Sequence, residues 1–145
     1  MEEYERVIIA TDGSEETEIV IEKGLSMARL LGASVKVLFV VDTGSLSGIP
    51  PDEVITTVEG HIEAEAENVL DDIEGKAENM GIELEKSIKK GAPSEIIVSE
   101  SEDQDIIVMG HHTRSGLSRL LTGSTAQRVI RNAECPVMVV RLEEE

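Results

Sequence analysis

The stretch 106–133, which reads IIVMGHHTRSGLSRLLTGSTAQRVIRNA, has the composition of an anion-binding loop. It contains neither Asp nor Glu, although the whole chain carries a formal net charge of −17 at pH 7. Glycines allow its backbone to turn N–H groups toward a ligand, and the free amides at a helix N-terminus attract anions. We therefore expect a phosphate group to bind here. The residues behind this expectation are Arg114, Arg119, Arg128, Arg131, Gly110, Gly116, Gly123 and Ser124.

The sequence offers little evidence of a dedicated catalytic site. The phosphate-binding pattern G-x-x-x-x-G-K-[ST] and the dinucleotide-binding pattern G-x-G-x-x-G are both absent. His111 and His112 are adjacent, so in an extended segment their side chains point in different directions and chelate one metal ion poorly. No serine, histidine and aspartate stand at a spacing that marks a nucleophile with its base. We expect no metal site built by the protein alone and at most slow hydrolysis of a bound phosphate compound.

The composition limits the size of the protein and its partners. A length of 145 residues predicts one domain, 1–145, and a hydrophobic content of 40% is sufficient for a core. Thirty acidic residues against thirteen basic ones repel nucleic acid, and Tyr4 and Phe39 are the only aromatic residues on which bases could stack. No run approaches the roughly 20 apolar residues of a membrane span. The single cysteine, Cys135, suits a reducing compartment, so we expect a cytoplasmic protein with no nucleic-acid or membrane partner.

Five short apolar runs alternate with four helical patterns along the chain. This alternation predicts an α/β fold: a single-domain, open, five-stranded parallel sheet of Rossmann-like type, with strand order 3-2-1-4-5 and helices on both faces. The predicted strands are 6–10, 34–41, 82–89, 105–109 and 136–141, and the predicted helices are 14–31, 52–80, a short one from 93 or 94, and one from 123 or 124. Ser14 is expected to cap the first helix and Gly32 to end it. The first helix is expected to bury Val20, Gly24, Met27, Ala28 and Leu31, and the last one Ala126, Val129, Ile130 and Ala133.

The predicted strand order reverses between the first and fourth strands. Ligands of open α/β sheets bind at such a reversal, beyond the carboxyl ends of the strands. The loops that meet there are 11–14 and 110–124, so the topology and the arginine-rich loop indicate the same place. Asp12, at the end of the first strand, can accept hydrogen bonds from a ribose or bond to its own loop backbone.

Three segments of the chain resemble the universal stress protein family: VIIATDGSEET near the start, GAPSEII in the middle, and DIIVMGHHTRSGLSRLLTGSTAQRVIRNAECPVMVVR at the end. The resemblance covers essentially the whole length. It implies the same five-stranded α/β fold, frequent dimerisation, and membership of either an ATP-binding or a non-binding group. ATP-binding members carry G-x2-G-x9-G-[ST] after the fourth strand. Gly110, Gly123 and Ser124 match that pattern, while Thr113 replaces its second glycine.

The resemblance also implies a set of nucleotide-binding residues. Asp12 would face the ribose, Val40 would border the adenine, and the remaining residues would lie around them and the phosphates. Mg²⁺ or Mn²⁺ would accompany the phosphates. The whole implied set is Thr11, Asp12, Val40, Met109, Gly110, His112, Thr113, Arg114, Gly123, Ser124 and Thr125.

Three functions remain open on the sequence. The first is a cytoplasmic, ATP-binding regulatory homodimer of the stress response that acts as a nucleotide-dependent switch with slow or no hydrolysis. The second is a regulatory or scaffold dimer that binds no nucleotide because of Thr113, and the third is a phosphoryl-transfer or hydrolytic enzyme that uses His111 or His112. The dimer is expected to form through the last strand, from Pro136 to Arg141, because an apolar terminal strand exposes a pairing edge.

Overall fold

The protein folds around one five-stranded parallel sheet with the order β3-β2-β1-β4-β5. A computed structural model describes residues 4–43, 53–113 and 124–143, with the side chains of all of these except 53–59, 112, 113 and 143. The strands are β1 (Arg6–Thr11), β2 (Ser34–Asp42), β3 (Leu84–Gly91), β4 (Asp105–Thr113) and β5 (Val137–Glu143). The helices are α1 (Glu18–Leu31), α2 (Glu53–Asn79), α3 (Pro93–Ser99) and α4 (Ser124–Asn132). The predicted α/β fold and strand order are confirmed.

The core forms two layers, one on each face of the sheet. Successive residues of a strand point to opposite faces, so a strand buried on both sides is apolar throughout, as Val7, Ile8 and Ile9 of β1 show with no exposed surface at all. The layer beneath α1 and α2 includes Val7, Ile9, Leu25, Phe39 and Leu70. The layer beneath α3 and α4 includes Ile8, Leu38, Ile97, Ile107 and Val129. No helix among the described residues is both long enough and apolar enough to cross a membrane.

Several predicted boundaries differ from the observed ones. β3 begins at Leu84 rather than at 82, because the N–H of Ile82 donates to the carbonyl of Ala77 and thereby closes the end of α2. β4 and β5 both run further than predicted, because their pairing continues through His111 beside Arg141 to the final residue of each strand.

Two residues that the helical patterns placed in the core are instead exposed. Leu31 is 40% exposed because it lies in the last turn of α1, and Ala33, just beyond the left-handed Gly32, is buried instead. Ile130 is 55% exposed, and on α4 only Ala126 and Val129 are buried. Only a narrow strip of a nine-residue helix contacts the sheet on which it lies. The predicted buried face, which included Ile130, was therefore too wide.

The two edges of the sheet differ in charge. β3 carries Lys86, Lys89 and Lys90. The Nζ of Lys86 lies 3.1 Å from carboxylate oxygens of Asp71 and Glu74 on α2, and hydrogen bonds to these two carboxylates raise the pKa of Lys86. β5 is mainly apolar, and its Val139 is 36% exposed. Lysines on an edge strand oppose pairing with another sheet, so β5 is the edge better suited to it.

The end of the sheet opposite the carboxyl ends of the strands is held by a partly buried ion pair. The Nε and Nη2 of Arg6 donate to the two carboxylate oxygens of Asp105 at 2.9 and 2.8 Å, which joins the first residues of β1 and β4. This bidentate hydrogen bond raises the pKa of the Arg6 guanidinium. The pair joins β1 and β4 at the end of the sheet opposite their carboxyl ends.

Candidate functional site

A cleft opens where the strand order reverses, at the carboxyl ends of β1 and β4. The hydrogen-bonded register between these strands runs only as far as Ile9 beside Val108, whereas β1 continues to Thr11 beside Phe39 of β2. Beyond Ile9 the two strands diverge, and the described residues around the gap enclose about 250 Å³. The cleft therefore lies at the place that the topology rule predicts for a ligand.

The floor of the cleft is apolar. Val40, Ile97 and Met109 line it and are 8%, 2% and 4% exposed, because they belong to the core layer beneath α3 and α4. Ala10 lines the same floor with only a methyl group, which leaves room above it. An apolar floor of this kind suits an uncharged ring system, and the described floor offers aliphatic side chains rather than aromatic rings for that contact.

The cleft has exposed and buried polar groups. Asp12 and Asp42 are exposed at its rim, whereas Thr11 and Thr17 are buried; Thr125 also lines it. Within the part of the lining that the structure describes there is no arginine or lysine. The described rim therefore offers acceptors for the hydroxyl or N–H groups of a ligand rather than counter-charges for an anion.

Asp12 holds one carboxylate oxygen against its own loop. The Oδ1 accepts a hydrogen bond from the N–H of Ser14 at 2.9 Å, which is the second of the two roles that the sequence left open for this residue. Its Oδ2 makes no hydrogen bond to any residue that the structure describes. One side of the carboxylate thus orients the group, and the other side remains available to a ligand in the cleft.

Two buried threonines support this loop from below. Thr11 and Thr17 are 3% and 7% exposed, and their Oγ1 atoms lie 2.8 Å apart. The hydroxyl of Thr17 also donates to the carbonyl of Ser14 at 2.8 Å, and the N–H of Gly13 donates to the Oγ1 of Thr11 at 3.0 Å. Gly13 has a φ of +84°, a conformation that other residues rarely adopt. The turn 11–17 is therefore held by hydrogen bonds from both of its ends.

The start of α1 does not have the predicted cap. A 3-10 turn, Glu15–Thr17, precedes α1, and Ser14 makes no side-chain hydrogen bond to it. The Oγ of Ser14 is buried and has no hydrogen-bond partner in the described part of the chain. The cap is missing because the N–H of Ser14 bonds to Asp12 and its carbonyl to Thr17, so hydrogen bonds of the turn fix its backbone.

Gly110 does not begin a loop, as the sequence suggested, but lies inside β4 beside Val140. A Cβ placed at Gly110 would lie 2.7 Å from the Cδ1 of Leu142 and 3.1 Å from the Cγ2 of Val20. The absence of a Cβ at Gly110 therefore lets the side chains of Leu142 and Val20 pack closely against β4, and the backbone of Gly110 also borders the cleft. The expectation that Gly110 supplies a flexible turn is wrong, because the strand continues to Thr113.

The structure brings together part of the predicted set of site residues. Six line one cleft: Thr11, Asp12, Val40, Met109, Gly110 and Thr125. Ser124 is exposed and begins α4, which places the helix N-terminus next to Thr125 and thus beside the cleft. His112 and Thr113 belong to β4, opposite Leu142 and Glu143, while Arg114 and Gly123 lie outside the described residues.

Two of the four arginines of the stretch 106–133 lie among the described residues. Arg128 and Arg131 are exposed on α4, and neither is among the described residues that line the cleft. They point outward because α4 buries Ala126 and Val129, which occupy the other side of the helix. Arg119 and Gly116 lie outside the described residues.

Sequence reasoning missed six of the described residues that line the cleft: Ala10, Thr17, Asp42, Pro93, Ile97 and Leu142. Asp42 ends β2, so the rule that ligands bind beyond strand ends could have identified it. Thr17 had no such signal, because its role depends on a hydrogen bond to Thr11 that spacing does not reveal. No group of three histidine, cysteine or acidic side chains suited to a metal ion occurs among the residues described.

Comparison with known proteins gives consistent matches over the length of the chain. The model of the universal stress protein family matches residues 3–141. Universal stress protein MJ0531 of Methanocaldococcus jannaschii is 33% identical over 140 residues, which cover 95% of this chain and 82% of that protein. The solved structure of hypothetical protein MJ0577 is 30% identical with a TM-score of 0.80 and covers 98% of this chain and 99% of its own.

A further solved structure carries a nucleotide. It is the universal stress protein from Archaeoglobus fulgidus in complex with dAMP, with 24% identity, a TM-score of 0.60, and coverage of 94% of this chain and 97% of its own. At that identity the match shows a common fold.

Proposed function

The chain belongs to the universal stress protein family, and from that premise we propose that its cleft binds an adenine nucleotide, with ATP as the first candidate. The observation that carries the proposal is the parting of β1 and β4 beyond Ile9 and Val108, which opens an apolar cleft with a partly free carboxylate at its rim. A nucleoside has an apolar ring and a hydroxylated sugar, and the cleft offers a matching surface for each.

The proposed orientation follows from the chemistry of the lining. Adenine lies against Val40 and Met109, and the ribose hydroxyls donate to Asp12. The phosphates extend toward the N-terminus of α4, where the amides near Ser124 and Thr125 are unpaired within the helix and favour negative charge. His112, Arg114 and Gly123 complete the phosphate side in this proposal, and Mg²⁺ or Mn²⁺ is bound through the phosphates.

Thr113 does not oppose this proposal on conformational grounds. No residue other than glycine has a positive φ in the described part of the chain, and Thr113 is an ordinary strand residue beside Glu143. The position at which ATP-binding relatives have a glycine therefore needs no glycine conformation here. The alternative of a dimer that binds no nucleotide then rests on the side chain of Thr113 alone.

We propose that the protein is a regulator rather than a dedicated enzyme. The described residues of the cleft include no pair of groups arranged as nucleophile and base. His111 belongs to β4, where it pairs with Arg141 of β5, and it is not among the described residues that line the cleft. A bound nucleotide is then a signal, and any hydrolysis is slow. Turnover that is measurable in the natural protein and lost in His111→Ala or His112→Ala would support the hydrolytic alternative instead.

We also propose a homodimer formed through β5, in the run from Pro136 to Arg141. β5 is an edge strand with an exposed Val139, while the opposite edge is lysine-rich. Two β5 strands related by a two-fold axis can pair and cover that edge. The cytoplasmic location and the role in stress response are part of the same proposal.

The function is tested by looking for the nucleotide directly. The purified protein is denatured, the supernatant is analysed for released adenine nucleotide, and the nucleotide-free protein is titrated with ATP by calorimetry with and without Mg²⁺. The proposal expects saturable binding with one nucleotide per chain. The absence of binding at millimolar ATP would favour the scaffold alternative.

A further inference from the structure

The hydroxyl protons of Thr11 and Thr17 can be assigned from the hydrogen-bond geometry. The Oγ1 of Thr17 lies 2.8 Å from the carbonyl oxygen of Ser14, which only accepts, so the single hydroxyl proton of Thr17 points there. The 2.8 Å contact between the two Oγ1 atoms must then use the proton of Thr11. The network therefore has one direction, from Gly13 N–H to Thr11, from Thr11 to Thr17, and from Thr17 to the Ser14 carbonyl.

This direction removes Thr11 as a donor to any ligand. Its only proton is committed to Thr17, and one of its acceptor positions is occupied by the N–H of Gly13. Thr11 lines the cleft but is bonded into the turn below it. The polar group that this turn presents to a ligand is then the free oxygen of Asp12.

Thr17 combines a helical backbone with a side chain that serves the turn. It stands between the 3-10 turn and α1 with φ and ψ of −85° and −1°, so it is not in the extended conformation in which an N-cap hydroxyl reaches the first helical amides. Its hydroxyl is directed at Ser14 and Thr11. The side chain of Thr17 therefore bonds to the loop that carries Asp12.

We infer that Thr17 is a positioning residue of the nucleotide site, which holds the turn 11–14 so that the carboxylate of Asp12 meets the ribose hydroxyls. This inference rests on the proposed function. The hydroxyl of Thr17 donates to the carbonyl of Ser14, and the Oγ1 of Thr11 accepts from the N–H of Gly13. The carboxylate of Asp12 accepts from the N–H of Ser14. Without the hydroxyl of Thr17, the hydroxyl of Thr11 loses its acceptor, and the carbonyl of Ser14 keeps only the backbone N–H of Thr17 at 3.1 Å. The turn is then held less firmly toward the cleft.

The test compares two ligands that differ only in the ribose hydroxyls, ATP and 2′,3′-dideoxy-ATP, on the natural protein and on Thr17→Val. Hydrogen bonds to a charged group are strong, so the natural protein should bind ATP at least about tenfold more tightly than the dideoxy analogue. In Thr17→Val the affinity for ATP should fall about tenfold, while the affinity for the dideoxy analogue stays unchanged. The ratio of the two affinities therefore approaches one.

Thr17→Ser is the matched control, because it keeps the hydroxyl and removes only a methyl group. It should retain the preference for ATP. Thr17→Ala repeats the deletion of the hydroxyl with a smaller side chain if the valine variant does not fold. Binding of the dideoxy analogue reports that the cleft is intact in each variant.

The outcomes separate the inference from the function on which it rests. If neither ligand binds the natural protein, the proposed function fails. If the natural protein binds both ligands equally, or if Thr17→Val or Thr17→Ala keeps the full preference for ATP, the nucleotide site stands and the positioning role of Thr17 is overturned. A loss of affinity for both ligands by the same factor in the folded variants would also overturn it, since that is the result of a merely structural role.

Discussion

Gly110 on β4 and Leu142 on β5 are so close that a Cβ on the glycine would lie 2.7 Å from the Cδ1 of the leucine. Leu142 is 3% exposed, and it also lines the cleft. Gly110 matches the first glycine of the nucleotide-binding pattern that the family resemblance implies. In this protein its small size allows the last two strands and α1 to pack tightly at the edge of the cleft, in addition to any contact with a ligand.

Gly110→Ala is therefore expected to destabilise the fold. Forcing one methyl group against Leu142 and Val20 should lower the free energy of unfolding by about 1–3 kcal/mol, measured by urea denaturation. The double variant with Leu142→Ala provides the control, because the new methyl group then fills part of the space that the leucine leaves. We expect the two effects to be less than additive. Strict additivity would show that the two side chains are not in contact.

Thr113→Gly tests whether the departure from the family pattern matters for the ligand. Thr113 has a strand conformation that glycine does not improve, so the affinity for ATP should change by less than about threefold in calorimetric titration. A small loss of stability, roughly 0.5–1 kcal/mol, is expected from the added backbone freedom. If the natural protein binds no ATP and the glycine variant does, the scaffold alternative is correct.

Val139→Lys tests the proposed dimer. A lysine on an edge strand opposes pairing with a second copy, so the variant should sediment as a monomer at micromolar concentrations where the natural protein is a dimer. Leu30→Lys is the matched control, because Leu30 is 80% exposed on α1 and lies away from β5 in the sequence and on another element. A dimer that persists in Val139→Lys would place the interface elsewhere.

Cys135 is expected to react slowly with alkylating reagents. Burial raises the pKa of the Cys135 thiol. At a given pH, a smaller fraction of this thiol is therefore in the reactive thiolate form than in a free cysteine. The alkylation rate of the native protein should still be rising with pH above about 8.5, where the rate of the urea-unfolded protein begins to level off. Equal pH profiles for the native and unfolded protein would contradict the raised pKa.

The sequence was sufficient to predict the sheet order, the place of the cleft and half of its described lining. The sheet order and the position of Asp12 follow from short-range periodicity and topological rules, whereas Val40 and Met109 were implied by the resemblance to the universal stress protein family. The parts that were wrong depend on contacts between elements. The extension of β4 past Gly110 required pairing with β5, and the role of Thr17 required the position of Thr11.

The missing helix cap at Ser14 likewise depends on contacts that the local sequence does not reveal. Serine before two glutamates is a common helix start, and nothing local argues against it at Ser14. In the structure, Asp12 and Thr17 bond the backbone of Ser14 on both sides and leave its own hydroxyl without a partner in the described residues. Local preference is outweighed here by a turn that belongs to the site.

The most direct test of the account is to fill the cleft from its floor and titrate ATP by calorimetry. Ala10 lines the cleft with a single methyl group, so Ala10→Leu should occupy the proposed adenine position without removing any core side chain. Ala64→Leu, on the exposed face of α2, is the matched control. We predict that Ala10→Leu remains folded by circular dichroism and loses ATP affinity by at least about a hundredfold, or roughly 2.8 kcal/mol, while the control binds as the natural protein does. Undiminished ATP binding in a folded Ala10→Leu variant would contradict the assignment of the nucleotide to this cleft.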